Sequence, residues 1–205
     1  MEGTMMARGP RYRVSFRRRK EGKTNYRLRR SLVLSMMPRL SVRKTLRHII
    51  IQFFEAKSTY DDVIISAHSR ELTKIFGWQG SCKNIPAAYL TGLLCGYRAK
   101  EKGIETAVLD IGLQSPSRGA RVFASLKGVI DSGVTVPHNE NILPDESRLC
   151  GQHIVNYANQ LSLNKEDYQQ KFSKYLSKGL RPEQVSQHFS LIKEKIISLL
   201  EEKGT

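Results

Sequence analysis

The chain has 205 residues, an apolar fraction of 40% and a formal net charge of +15. This length and apolar content suffice for one packed domain with appendages or for two small domains, which excludes a wholly disordered chain. No apolar run approaches the roughly 20 residues that a membrane span needs. No apolar segment follows the N-terminal cations, so a secretory signal is not predicted either.

The positive charge is concentrated at one end of the chain. Residues 1–47 contain fifteen Lys and Arg but only two Glu, so they carry +13 of the net charge. A solvated surface normally mixes both signs, and this excess therefore indicates an anionic partner. Arginine predominates, and its planar guanidinium binds phosphate and stacks on bases. Because Tyr12, Phe16 and Tyr26 lie among these cations, we predict RNA binding, with a solubilising tail as the alternative.

The first predicted unit is a basic arm over residues 1–37. Residues 7–23 contain few apolar side chains, and we expect this segment to be flexible alone and to order on a partner. Its regular structure is interrupted at Gly9, Pro10 and Gly22. The sequence leaves the start of the chain open among Met1, Met5 and Met6. Thr24 or Asn25 is a candidate N-cap of a helix over residues 26–37 that ends before Pro38.

The second predicted unit is an α/β core over residues 38–140. Its first part is an antiparallel meander of three strands, because three β-rich segments are joined by short links. These segments are residues 39–44, 49–54 and 62–67. The first has period-two alternation, which is typical of a half-exposed strand. It would extend the basic arm onto one face or edge of the sheet through Arg39, Arg43 and Arg47.

The rest of the core alternates helices and strands. We predict helices over residues 68–76, 84–102 and 118–132, a buried central strand over 106–111 and an edge strand over 134–136. Gly92 and Gly96 lie on one helix face and predict close approach of a neighbour, in helix-on-sheet packing. The pattern indicates a mixed sheet of about five strands with helices on both faces.

The third predicted unit is a helical C-terminal extension over residues 141–205. Its predicted helices cover residues 145–161, 164–178 and 182–203, and the last of them has an apolar stripe at helical spacing. Its polar face carries charges of both signs. This pattern predicts an appendage that docks on a neighbour or on the core, with no catalytic feature.

No enzymatic motif is found. The sequence lacks the glycine-rich phosphate loops, and its five histidines are scattered without metal-ligand spacing. The cysteines are expected to be reduced thiols, since Cys82, Cys95 and Cys150 are odd in number and far apart. One alternative remains, because the strand order with acidic residues near strand ends resembles metal-dependent ribonuclease H enzymes. Its candidate carboxylates are Asp61 or Asp62, Asp110 and Asp131. In the competing interpretation, Asp61 and Asp62 belong to a turn and Asp131 lies in the last turn of a helix.

Five separated segments match one known family. They are GPRYRVSFRRRKEGKTNYRLR (9–29), SAHSRELTKIFGW (66–78), NIPAAYLTGLL (84–94), AVLDIGLQSPSRGARVFASLKGVIDSG (107–133) and the segment 136–154. With these segments the chain resembles the 5S-rRNA-binding protein of the large ribosomal subunit, the universal L-eighteen family in its archaeal/eukaryal form. The match covers residues 7–158, and the final helical stretch is the least similar part.

The resemblance implies a fold and a function. It implies a mixed-sheet α/β core of the ribonuclease-H-like class and a non-enzymatic, cytoplasmic protein of the large ribosomal subunit. The implied partners are 5S rRNA, 23S rRNA and neighbouring large-subunit proteins, and the implied place is the central protuberance. No cofactor, metal, small-molecule substrate or membrane is expected. An RNA-processing or ribosome-assembly factor is the alternative function.

The resemblance also implies the RNA-contacting residues. The first group lies in the arm and comprises Arg11, Tyr12, Arg17, Arg18, Arg19, Lys23, Tyr26, Arg27 and Arg30. The second group lies in the core and comprises Arg43, Ser69, Arg70 and Arg118.

Overall fold

A computed structural model describes residues 9–57 and 60–201 of the chain. The predictions for the start of the chain, for part of the link between the second and third strands, and for the helix beyond residue 201 lie outside these ranges. Within them the strands are β1 (Arg39–Lys44), β2 (Ile49–Ala56), β3 (Asp61–His68) and β4 (Val108–Asp110). The helices are α1 (Arg17–Lys20), α2 (Tyr26–Leu34), α3 (Ser69–Lys74), α4 (Ile85–Glu101), α5 (Arg121–Asp131), α6 (Glu146–Leu149), α7 (Gln152–Leu161), α8 (Lys165–Leu176) and α9 (Val185–Glu201).

The sheet has the strand order β3-β2-β1-β4. Strands β1, β2 and β3 form the predicted antiparallel meander, and β4 pairs in parallel with β1 through residues 108–110. The prediction that β4 is a central strand is wrong, since it is short and lies at the edge. The predicted fifth strand is reduced to a single bridge between Thr106 and Thr135. Gly133, with φ +100°, and Pro137 flank that segment and leave too few residues for a ladder.

Strand β1 is buried along most of its length, contrary to the prediction of a half-exposed strand. Leu40 and Val42 belong to the hydrophobic core with residues of α4 and α5. Arg39 and Ser41, on the alternate positions, are also buried, at 4% and 3% exposure. They face a cleft that is also lined by α2. The second face of the sheet therefore carries one helix, α2, across a polar cleft. Helices α4 and α5 cover the first face.

Helices α4 and α5 approach each other closely through glycines. A Cβ at Gly92 would overlap the carbonyl oxygen of Ser125, and a Cβ at Gly128 would overlap that of Tyr89. The close approach predicted at Gly92 is confirmed. Its partner is the helix α5, so the prediction of helix-on-sheet packing at this face is wrong. Small residues let the two backbones come into contact and place α4 in the centre of the core.

One predicted helix ends earlier than expected, and another is interrupted. Helix α2 ends at Leu34, because Met36 has a positive φ of 57° and Pro38 follows. The predicted helix over residues 145–161 is divided into α6 and α7 at Gly151, which has φ +86°. Both interruptions are local events at residues with left-handed backbone conformation.

The C-terminal helices pack on the core. Val185, Phe189, Ile192 and Ile196 of α9 belong to the same hydrophobic cluster as the residues of α4. The indole of Trp78 stacks on the imidazole of His188, with ring centroids 5.1 Å apart. No helix within the described ranges is long and apolar enough to cross a membrane. The division into three units, 1–37, 38–140 and 141–205, stays a prediction.

Candidate nucleic-acid interface

The arm is structured by a few local contacts. Asn25 caps α2, as predicted, by accepting hydrogen bonds from the backbone N–H groups of Arg27 and Leu28. The rings of Phe16 and Tyr26 are in tilted contact, with centroids 5.1 Å apart. These contacts hold α1 against the start of α2, although α1 alone is too short to be stable in water.

The arm residues predicted to contact RNA are largely exposed. Those with exposed side chains are Arg11, Tyr12, Arg17, Arg18, Arg19, Lys23, Arg27 and Arg30, while Tyr26 is half-buried. In the described part of the arm the sole carboxylate is Glu21, which lies 2.8 Å from Lys23 and 3.9 Å from Arg17. The cations of the arm therefore outnumber its anions at a surface that a polyanion can reach.

An ion-pair network joins the arm to the sheet. Arg29 of α2 lies 2.8 Å from Asp61, and Asp61 lies 2.7 Å from Arg39. Arg39 in turn lies 3.7 Å from Asp110, which also pairs with Arg43 at 3.0 Å. Three guanidinium groups therefore surround two carboxylates, and the network has a net positive charge.

Arg39 is the centre of this network and is almost fully buried. Its Nη2 is in ion-pair contact with Asp61 but lacks hydrogen-bond geometry, and its Nε has no hydrogen-bond partner among the described residues. The guanidinium also lies 5.9 Å from the centroid of the Phe54 ring. A buried cation with unused donors is costly unless an anion or a hydrogen-bond acceptor reaches it.

The network accounts for two of the carboxylates considered for a nuclease site. Asp61 and Asp110 are held by arginines, and the backbone N–H of Gly112 also donates to Asp110. Asp131 lies on α5, where it accepts a hydrogen bond from Tyr89 and pairs with Lys127. Over the described ranges no three His, Cys, Asp or Glu side chains form a group that could hold a metal ion. The three carboxylates thus act as partners of cations and hydroxyls.

A cleft of about 590 Å³ lies between α2 and the polar face of the sheet. Its floor includes Ser41, Gln52 and Phe54, and its basic lining consists of Arg18, Lys23, Arg29, Arg39, Arg43 and Lys44. Two acidic residues, Asp61 and Asp110, complete the charged lining. This excess of positive charge makes the cleft attractive to phosphate groups.

A second basic region lies near the start of α3. Arg70 is exposed, and its backbone N–H donates to His68, whose own N–H donates to Glu71 in a capping box. Ser69 is fully buried, and its hydroxyl accepts a hydrogen bond from the backbone of Ile49. A contact between Ser69 and RNA would have to open this hydrogen bond. Ser69 and Arg70 stay predicted contacts, of which only Arg70 is at the surface.

The charges of this second region act on His48. Partial burial lowers the pKa of His48, and His68, Arg70 and Arg47 lower it further. The imidazole rings of His48 and His68 lie 4.8 Å apart. Arg70 and Arg47 therefore make the surroundings of His48 electropositive.

The predicted core contacts are spread over the molecule. Arg43 lies at the cleft, whereas Arg118 is exposed before α5, where its Nε donates to the backbone oxygen of Asn141. The structure thus brings Arg43 together with the arm but separates it from Arg118.

Sequence analysis missed two residues of the cleft and the burial of a third. Arg29 and Gln114 were not singled out, and Arg39 was placed on the basic sheet face without its burial. The alternation of β1 predicted that Arg39 shares a face with Arg43, and both residues line the cleft. Nothing local to Gln114 indicates that its side chain reaches β1, where its Nε2 donates to the backbone oxygen of Val42.

Comparison with known families agrees with these features. The sequence model of a family described as ribosomal large subunit proteins 60S L5, and 50S L18, matches residues 10–105 and 98–139. These residues include the described arm, the four strands, α4 and α5, and they exclude α6 to α9. The resemblance seen in the five sequence segments is confirmed. The chain belongs to this family of large-subunit ribosomal proteins.

Proposed function

We propose that this protein binds 5S rRNA and attaches it to 23S rRNA in the central protuberance of the cytoplasmic large subunit. The observation that carries the proposal is the exposed excess of arginine in the arm, on a chain of a large-subunit ribosomal family. Neighbouring large-subunit proteins are the further partners. The ribonuclease-H-like class of the core belongs to the same proposal, and the mixed α/β sheet supports it.

The arm and the core have different tasks in this function. The exposed arginines neutralise phosphates, which gives affinity that falls with salt and depends little on sequence. The network of Arg29, Asp61 and Arg39 holds α2 at a fixed place on the sheet. Because α2 is docked on the sheet, the arm cations have fixed positions and match the shape of one RNA better than others.

A titration tests this function. The purified full-length protein is titrated with 5S rRNA and with a length-matched unrelated RNA at several salt concentrations. We expect a preference for 5S rRNA that persists at high salt, because shape readout does not depend on counterion release alone. Equal affinity for both RNAs at every salt concentration would contradict the proposal.

Sedimentation separates a structural constituent from an assembly factor. A constituent stays with the large subunit in a high-salt gradient, whereas a factor that visits the particle is released. Incubation of 5S rRNA with the protein and Mg²⁺ addresses the nuclease alternative. We expect intact RNA, and cleavage that is lost in Asp110→Asn would overturn the non-enzymatic assignment.

A further inference from the structure

The cleft between α2 and the sheet contains unused hydrogen-bonding groups of both kinds. Nε of Arg39 is a buried donor and Oε1 of Gln114 is a buried acceptor, both without hydrogen-bond partners among the described residues. Both side chains line the cleft. Buried polar groups are normally satisfied, so an unsatisfied donor and an unsatisfied acceptor on two side chains that line one cleft indicate a ligand that offers both complements. Because the two atoms are buried, Arg39 and Gln114 rotate toward the cleft when this ligand binds.

The charge of the cleft defines one part of that ligand. The carboxylate of Asp61 is shared between Arg29 and Arg39, and that of Asp110 between Arg39 and Arg43. One guanidinium charge in the network is therefore not balanced by a carboxylate. An anion beside Arg39 would balance it and accept a hydrogen bond from its Nε.

The remaining walls of the cleft define the uncharged part of that ligand. Phe54 is half-buried and Leu28 is partly exposed at the cleft, so a planar apolar group can pack there. Oε1 of Gln114 requires a hydroxyl or amino donor. A phosphate, a planar ring and a hydroxyl or amino group occur together in a nucleotide. The volume of about 590 Å³ is sufficient for a single nucleotide.

We propose that this cleft binds one ribonucleotide of an unpaired RNA segment, with its phosphate beside Arg39 and a ribose hydroxyl or base amino group donating to Gln114. The proposal rests on the proposed function in that the RNA is taken to be ribosomal. It adds a site that reads a nucleotide to the exposed arginines of the arm, which neutralise phosphates. The ion pair between Arg29 and Asp61 keeps α2 in place as the wall of this site.

Mononucleotides test the site without a folded RNA. Amide and side-chain NMR signals of the full-length, ¹⁵N-labelled protein are followed during additions of guanosine monophosphate, its 2′-deoxy form, guanosine and inorganic phosphate. We expect the monophosphate to shift the signals of Gly112 and Gln114 and to bind more tightly than guanosine or phosphate. A weaker 2′-deoxy form identifies the ribose hydroxyl as the donor, and equal binding identifies the base amino group.

Gln114→Leu removes the acceptor and preserves the fold, because the oxygen of Val42 still accepts a hydrogen bond from Arg43. We expect it to weaken monophosphate binding about fivefold, the equivalent of one hydrogen bond, with phosphate binding unchanged. The matched control is Gln169→Leu on α8, which should have no effect. Equal affinity for monophosphate and phosphate, or shifts confined to the arm, would overturn the proposal.

A parallel titration with 5S rRNA separates this inference from the proposed function. Gln114→Leu should weaken 5S rRNA binding severalfold; if it loses mononucleotide binding and retains full 5S rRNA affinity, the RNA role of the cleft is wrong. A wild-type protein that binds the monophosphate in the cleft without preferring 5S rRNA would refute the proposed function and leave the nucleotide site standing.

Discussion

Arg29 of the basic arm and Asp61 at the start of β3 form an ion pair of 2.8 Å that joins the arm to the sheet. The same carboxylate lies 2.7 Å from Arg39. The side chain of Arg29 is 39% exposed and that of Arg39 only 4%, so the two pairs differ in how strongly water screens them. Asp61 is therefore more important for the stability of the fold than its position at a strand end suggests.

This difference gives the first prediction. Asp61→Asn leaves the buried Arg39 without its closest anion and should lower the free energy of unfolding by about 3 kcal/mol. Arg29→Met removes a screened pair and should lower it by less than about 1 kcal/mol. Urea unfolding measures both, with Glu55→Gln as control because Glu55 pairs with Lys57 at the surface. Equal effects of Asp61→Asn and Glu55→Gln would contradict this account.

The second prediction concerns the contact between α4 and α5. Gly92→Ala places a methyl group on the carbonyl of Ser125 and should destabilise the protein by about 3 kcal/mol, because two helix backbones must separate. Gly179→Ala is the matched control, since its Cβ meets no atom within 4 Å and only its φ of +78° is strained. That strain should cost about 1 kcal/mol. Thermal unfolding compares the two variants, and a milder effect at Gly92 would refute close backbone contact.

The third prediction concerns the docking of α9. Burial lowers the pKa of His188 from its ordinary value of 6.5, and Lys195 lowers it further. The neutral ring accepts a hydrogen bond from the backbone N–H of Gln79. The unfolded chain binds the proton near pH 6.5 and the folded protein only at lower pH. The contribution of His188 is therefore fully present above pH 6.5 and is lost as the pH falls through the lowered pKa.

Trp78 reports this titration, because it is the single tryptophan of the chain and stacks on His188. We expect its fluorescence to change with a midpoint below pH 6.5. His188→Gln retains an acceptor for Gln79 and should abolish the change. A transition that persists in this variant would assign the effect to another group.

The fourth prediction concerns the arm in RNA binding. Replacement of Arg17, Arg18 and Arg19 by Gln should weaken 5S rRNA binding and reduce the slope of log affinity against log salt by about 2, since each lost phosphate contact removes about 0.7–0.9. The control replaces Lys165, Lys171 and Lys174 of α8 by Gln, which removes the same charge from a helix outside the arm. Equal losses in both triple variants would indicate a non-specific effect of net charge.

The sequence by itself determined the local elements and the kind of partner. Signals between residues near in sequence predict the cap at Asn25, the meander of β1 to β3 and the close approach at Gly92. The concentration of arginine in the arm is likewise a property of composition, and it predicts an RNA partner independently of the fold.

Only the tertiary structure decided the site. The pairing of distant strands determines the edge position of β4 and the burial of Arg39. It also brings Asp61 and Asp110 to the same guanidinium of Arg39. Alternation predicts that Arg39 and Arg43 share a face of the sheet, but it does not predict that α2 covers that face. Side-chain burial and charge pairing are set by non-local packing, and for that reason the cleft with Arg39 and Gln114 is absent from every local pattern of the sequence.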